Sequence, residues 1–240
     1  MAGPASHRIV IAFRCALALA GLLYASPQQG QDIERERRRM VEEQIQSRGV
    51  RNTRVLEAMR TVPRHEFVAD AYKSAAYSDT PLPTSQGQTI SQPYIVALMT
   101  ELADPKPEHR VLEVGTGSGY QAAILSGLVR EVYSIELVAE LAASAKQRLD
   151  RLGFKNVQVR QGDGYLGWPQ TAPFDSILVT AGATEVPQPL VSQLKPGGRM
   201  IIPVGGSSLD QVLKVVEKDA AGKVSIRDVI PVRFVPLLRQ

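Results

Sequence analysis

Three glycines set one residue apart, Gly115, Gly117 and Gly119, follow the apolar run Val111-Leu112-Glu113-Val114, with Thr116 between the first two. The run suits a strand covered on both faces. Ala122 to Leu128 just beyond reads as a helix, so the glycines occupy a tight strand-to-helix loop. There they let the backbone approach a ligand closely, while the loop amides and the helix N-terminus offer donors and a partial positive charge. Glu113 lies inside the strand, where a buried carboxylate is costly unless donors or a cation meet it. A nucleotide-like ligand with a positive centre would supply one. Glu136 ends the next strand, E-V-Y-S-I-E, in position to take two ribose hydroxyls. Asp163, in Q-G-D-G at the end of a third strand, is placed to accept from the exocyclic amine of a base, with Gly162 and Gly164 keeping the backbone thin beside it. A plain turn aspartate is the other reading.

The spacing departs from the dinucleotide fingerprint G-x-G-x-x-G with an acid about 20 residues on. Tyr120 stands where the third dinucleotide glycine would fall. The distance from Gly115 to Glu136 superficially suits a nicotinamide-dependent oxidoreductase, and the offset third glycine argues against one.

A second stretch carries chemistry of another kind. Tyr77 to Pro93, Y-S-D-T-P-L-P-T-S-Q-G-Q-T-I-S-Q-P, is dense in hydroxyls, amides, Pro and Gly and has little hydrophobic periodicity. A loop of that length inside a domain is usually functional. Pro93 is a favoured first helical residue, so Thr89, Ile90 and Ser91 lie at a helix N-terminus where an anionic group is welcome. Ser91 as a simple N-cap is the alternative. His65 and Glu66, in R-H-E-F-V, are adjacent and are expected to point apart, which makes a poor acid/base pair and leaves His65 a structural role.

The elements that must position these groups follow from the rest of the chain. With 240 residues and 44% hydrophobic content, one core and one domain with an N-terminal extension is the natural organisation. Gln31 to Arg48 reads as an amphipathic helix ending at Gly49, and a second helix, Val55 to Arg60, is capped by Asn52 or Thr53 and stopped by Pro63. Strands are expected at Glu131–Ile135, Val157–Val159, Phe174–Thr180 and Arg199–Val204, with a helix at Ala139–Leu152. Two final strands, Gln211–Glu217 and Val224–Val235, turn around Ala220 to Gly222. The alternation implies an α/β fold whose sheet is mostly parallel with an antiparallel C-terminal edge. Residues 31–100 form its helical N-terminal part with the loop, and residues 108–240 its sheet.

Residues 1–26 behave differently. His7, Arg8 and Arg14 precede the apolar run Cys15 to Ala25, which has signal-peptide length and is too short to span a bilayer. Cleavage and export is one reading, an unprocessed extension the other. Cys15 is the single cysteine, so a mature domain would hold no disulfide, cysteine nucleophile or zinc cluster. The net charge of +4 drops by two without Arg8 and Arg14, which gives no basis for nucleic-acid binding.

V-L-E-V-G-T-G-S-G resembles the first motif of class I S-adenosylmethionine-dependent methyltransferases. Thr89-Ile-Ser-Gln-Pro-Tyr94 at its distance before that motif, together with R-H-E-F-V, Q-G-D-G, L-K-P-G-G-R and V-R-F-V-P-L, narrows the resemblance to the protein-L-isoaspartate (D-aspartate) O-methyltransferases, over roughly Met40 to Leu238. Thr84-Ser85 departs from the family's small apolar residue and glycine, and the N-terminal extension is a second departure. The resemblance implies a Rossmann-like class I methyltransferase fold with helices on both faces of the sheet. It implies S-adenosyl-L-methionine as cofactor, no metal, and methyl transfer to the free carboxylate of L-isoaspartyl and D-aspartyl residues in damaged proteins and peptides. In this reading Ser91 and Thr89 orient the substrate carboxylate. Gly115, Gly117 and Gly119 form the bed for the methionine part, Glu113 and Thr116 also bind the cofactor, Glu136 takes the ribose, and Asp163 with Gly164 reads the adenine. Gln211 touches the substrate side or the loop. A cytoplasmic monomer without stable membrane association is expected, export to the periplasm being the alternative. A methyltransferase for a different nucleophile and a silent, protein-binding relative are the remaining rivals.

Overall fold

The computed structural model describes residues 27–84 and 88–239. The extension Met1 to Ser26, with Cys15, and the departure at Ser85 lie outside the described residues. Helix α1, Pro27–Arg39, runs into a π-helical turn, Met40–Ile45, and a 3-10 turn, Gln46–Arg48, where one uninterrupted helix was expected. Met40 and Ile45, five residues apart, are both buried there, a spacing that the wider turn suits. Gly49 ends the segment at φ 98°. The Asn52 side chain caps helix α2, Thr53–Thr61, by accepting from the amides of Arg54 (3.0 Å) and Val55 (3.3 Å).

The loop over residues 77–93 contains a minimal antiparallel pair, β1 (Leu82–Pro83) with β2 (Thr89–Ile90), before α3, Pro93–Leu102. Then come β3 (Arg110–Val114), α4 (Tyr120–Ser126), β4 (Glu131–Glu136), α5 (Ala139–Arg151) and β5 (Val157–Gln161). The chain continues through β6 (Phe174–Val179), α6 (Gln188–Gln193), β7 (Leu194–Val204), β8 (Val212–Lys218) and β9 (Val224–Pro231). β7 starts five residues earlier than its sequence suggested, because Leu194 already pairs with Phe174 and the register shifts before Ser176 meets Arg199. β9 stops at Pro231, and the chain beyond it becomes a tail.

The large sheet has the order β5-β4-β3-β6-β7-β8-β9, parallel from β5 to β7 and antiparallel over its last two pairings. Its faces are separated by strict alternation. Val111, Val132, Leu178 and Ile201 pack among the N-terminal helices and α4. Leu112, Tyr133, Ile177 and Met200 pack with Leu190 and Val191 of α6. Both faces are therefore dry, as a parallel sheet requires. β3 stands between β4 and β6, so connections leave it in opposite directions and a crevice opens beyond its C-terminal end.

Candidate active site

That crevice is where the glycine loop lies. The amides of Gly115 (2.8 Å) and Thr116 (3.3 Å) donate to the Ile135 carbonyl, which draws the loop back over the end of β4. Gly115 has φ 99°, and a Cβ there would meet the Thr180 hydroxyl at 2.5 Å. Gly164 is as confined, since a Cβ would fall 2.5 Å from Cγ1 of Val114. The missing side chains are thus what leaves the cavity its shape. Gly119 has a different reason: it precedes α4 at φ 89°, and a Cβ would press on Leu149 of α5 at 3.3 Å. It shapes helix packing and does not line the cavity.

The two glutamates are held differently. Glu136, 8% exposed, accepts the Gly117 amide at Oε2 (2.8 Å) and the Val138 amide at Oε1 (3.1 Å), so its carboxylate is fixed with lone pairs left over. Glu113 is fully buried and accepts from the Ser134 hydroxyl at Oε2, while among the described residues its Oε1 makes no hydrogen bond of ordinary geometry. Thr116 Oγ1 stands 2.6 Å from the Ser134 oxygen and extends the chain of hydroxyls. Burial pushes the Glu113 carboxyl up to about 8; the Ser134 hydroxyl opposes this and the Glu136 charge adds to it. The unmatched Oε1 of Glu113 leaves a polar atom for a ligand, and the charge of the Glu136 carboxylate beside it favours a cationic group in the cavity.

Among the sequence candidates, Thr89, Ser91, Glu113 and Gly115 line one cavity, as do Thr116, Gly117, Glu136 and Gly164. Asp163 does not line it. Its Oδ1 accepts from the Tyr165 amide (2.9 Å) and caps the turn Gly164–Leu166, which is the turn-aspartate role. Ser91 is not a cap: Gln92 occupies the N-cap of α3, with no side-chain capping bond. Ser91 itself lines the cavity, and among the described residues its hydroxyl is not used in capping.

Arg64 is a residue that sequence reasoning passed over. Wholly buried, it donates from Nε to the Ala76 carbonyl and from Nη2 to the Ser91 carbonyl, both at 2.8 Å, and lies over the Tyr120 ring at 4.9 Å. It ties the loop before α3 to the helix after the glycines. A charge beside the apolar Phe67-Val68 was the available signal. His65 and Glu66 do approach, Nε2 to Oε1 at 3.8 Å, because a 3-10 turn carries them, contrary to the expectation that they point apart. His65 Nδ1 sits 2.7 Å from the Tyr77 hydroxyl, and His65 lines neither this cavity nor the groove beside it, consistent with a structural role.

The tail closes the site. The Gly182 amide donates to Val235 O and the Leu237 amide to Gly182 O, each at 2.8 Å, which brings Val235 to Leu238 into the cavity wall. Gln211 holds the tail from below. Its Oε1 accepts the Phe234 amide (2.7 Å) and its Nε2 donates to the Phe234 carbonyl (3.2 Å). It lines neither this cavity nor the adjoining groove, so the expectation of contact with substrate or loop gives way to one of support. Thr180, assigned no role at the site from sequence, follows β6 between the cavity and an adjoining groove and donates to the carbonyls of Val114 (3.0 Å) and Gly115 (2.5 Å).

Comparison with known proteins agrees with this arrangement. The family model for protein-L-isoaspartate(D-aspartate) O-methyltransferase matches residues 35–240. A protein-L-isoaspartate O-methyltransferase 2 of Syntrophobacter fumaroxidans is 61% identical over 184 residues, 77% of this chain and 74% of its own. A protein-L-isoaspartate O-methyltransferase of Opitutus terrae is 53% identical over 224 residues, 93% and 95% of the two chains. Among solved structures, a protein-L-isoaspartate O-methyltransferase superposes with TM-score 0.74 at 32% identity over 83% of this chain, which spans 65% of that one. A candidate enzyme of the same kind from Plasmodium falciparum, solved with S-adenosyl-L-homocysteine, gives 0.73 at 27% identity, covering 85% and 99%.

Proposed function

The chain belongs to the protein-L-isoaspartate(D-aspartate) O-methyltransferase family, and we propose on that premise that it repairs damaged proteins by esterifying the free carboxylate of L-isoaspartyl and D-aspartyl residues. The observation that carries the reading is a single cavity shared by the glycine loop, two buried carboxylates and the Thr89–Ser91 loop. S-adenosylmethionine, when bound, supplies an electrophilic methyl group: its C–S bond breaks as a C–O bond to the carboxylate forms, leaving S-adenosylhomocysteine and a methyl ester.

The residues present fit that cofactor. Gly115 and Gly164 leave room that a Cβ would fill, and the unmatched Oε1 of Glu113 with the nearby Glu136 suits a cationic ligand. Glu136 takes the ribose hydroxyls on the lone pairs that its two amide bonds leave. Gly115, Thr116 and Gly117 bed the methionine part. Gly119 supports that bed by packing α4 on α5, and Asp163 acts at the adenine end by fixing Gly164.

The chain's own residues then have a modest chemical task. The acceptor carboxylate, with an ordinary pKa of about 4, is already ionised near neutral pH, so no strong base is needed. What remains is to hold it in line and keep water away. Ser91 and Thr89 orient the carboxylate by donated hydrogen bonds. Arg64 fixes the Ser91 backbone from behind, and the tail from Val235 to Leu238 excludes water from the side.

Among the described residues no helix is long and apolar enough to cross a membrane, and the proposed site of action is the cytoplasm, as a monomer. The deciding assay measures transfer of labelled methyl from S-adenosylmethionine to two peptides that differ only in L-isoaspartyl against L-aspartyl. Base-labile labelling confined to the isoaspartyl peptide is expected; labelling of neither, with cofactor binding intact, would refute the reading.

A further inference from the structure

The groove beside the cavity has ≈ 470 Å³, within the roughly 300–1,000 Å³ usual for ligand sites. It shares Thr89, Ser91, Thr180 and Val235 with the cavity, so a polypeptide presenting an acceptor at Ser91 has this groove to lie in. Its walls mix apolar side chains such as Ile95, Ile230 and Phe234 with polar ones. Leu209, at 76% the most exposed large apolar side chain among the described residues, overhangs it.

Two charged residues, Arg48 and Arg233, line the groove among the described residues, and no acid does. Arg48 is already matched, with Nη1 3.0 Å from Asp79 Oδ2 and the guanidinium 3.6 Å above the Tyr94 ring. Arg233 is exposed and has no ion-pair partner among the described residues. Its backbone is nonetheless rigidly placed. Val232 donates to the Gln211 carbonyl (2.9 Å), Phe234 to the Gln211 side chain (2.7 Å), and both neighbours are buried while Arg233 is not. A fixed cation on a wall that lacks a counter-charge is a site for an anionic group of the incoming polypeptide.

We propose that Arg233 is a specificity residue, which pairs with an acidic side chain flanking the methyl-accepting residue and so favours acidic over basic sequence contexts. The proposal rests on the isoaspartyl reading above. The acceptor carboxylate itself is not its partner, because that group must enter the inner cavity, which Arg233 does not line. Exposed ion pairs contribute roughly 0.2–1 kcal/mol, so the effect is about 1.4- to fivefold for each change of charge state.

The test uses the full chain and three isoaspartyl peptides flanked on both sides by Glu, Gln or Lys, each in an unlabelled form for kcat/KM and a fluorescein-labelled form for binding by anisotropy. The expected order is Glu above Gln above Lys, compressed at 1 M salt, where the screening length falls to about 3 Å. Arg233→Gln should flatten the order and Arg233→Glu invert it. An order unchanged in Arg233→Glu would overturn the proposal. Absence of turnover with all three peptides would instead overturn the isoaspartyl reading, and the anisotropy series would still decide whether Arg233 sorts by charge.

Discussion

The Nη2 of Arg64 donates to the main-chain carbonyl of Ser91 across 2.8 Å, from a guanidinium with no exposure to solvent. Burial holds its pKa below the ordinary arginine value, with the Tyr120 phenolic oxygen acting against that shift. One nitrogen, Nη1, has no hydrogen-bond partner among the described residues. Such a charge is expensive to bury and gives specificity of conformation more readily than stability. Arg64→Met fills the same volume but leaves the carbonyls of Ala76 and Ser91 unmatched, each at about 1–3 kcal/mol. We expect a loss of about 2–5 kcal/mol in urea unfolding and, in what remains folded, a larger fall in turnover than in affinity for S-adenosylhomocysteine. Unchanged stability and turnover would refute a positioning role.

Ser91→Ala tests the site that Arg64 supports. Because the Ser91 hydroxyl is not engaged in capping α3, its removal should leave folding intact while turnover falls by about one to two orders of magnitude, the worth of a hydrogen bond to a charged group. Calorimetric affinity for S-adenosylhomocysteine should change less than twofold. Equal losses in both would remove Ser91 from the acceptor side.

Glu136→Ala should raise the dissociation constant for S-adenosylhomocysteine by about 10- to 150-fold, corresponding to 1.5–3 kcal/mol of charge-assisted bonds. Glu136→Gln keeps one acceptor oxygen for the Gly117 or Val138 amide and is expected to fall between. If titration calorimetry shows both variants binding like the parent, the ribose assignment is wrong.

Glu113 gives the chain a pH dependence of definite sign. Its folded-state pKa of about 8 lies above the ordinary 4.5, because burial disfavours the ionised form. Between those values the folded state holds more protons than the unfolded. Stability is therefore fully present below about 4.5 and is lost as pH rises to about 8, by at most about 1.4 kcal/mol per pH unit. Glu113→Gln should remove this slope. Unfolding free energies of both proteins from pH 5 to pH 8.5 decide it: parallel profiles would mean that Glu113 is ionised throughout.

Much of the site was legible because it is written in near-neighbour chemistry. The Gly115–Gly119 loop, the strand ends at Val114 and Glu136, Pro93 at the start of α3 and the Asn52 cap each depend on residues within a few positions of one another. Turn geometry, capping and alternation are local, so sequence alone determined the α/β layout, the antiparallel edge and the loop over residues 77–93. Tertiary structure decided which readings were true. The bonds of Arg64 reach 12 and 27 residues along the chain, and those of Gln211 reach 23. Nothing in the spacing of residues announces such partners. The same holds for Asp163, whose local cap with Tyr165 was one of two open readings until the cavity wall was seen to pass through Gly164 instead. Ser91 was likewise open to a plain capping role until α3 was seen to begin with Gln92 at its cap. Burial and long-range hydrogen bonding exist only once the layers have packed, and they assign a role to each polar side chain that local pattern leaves undecided.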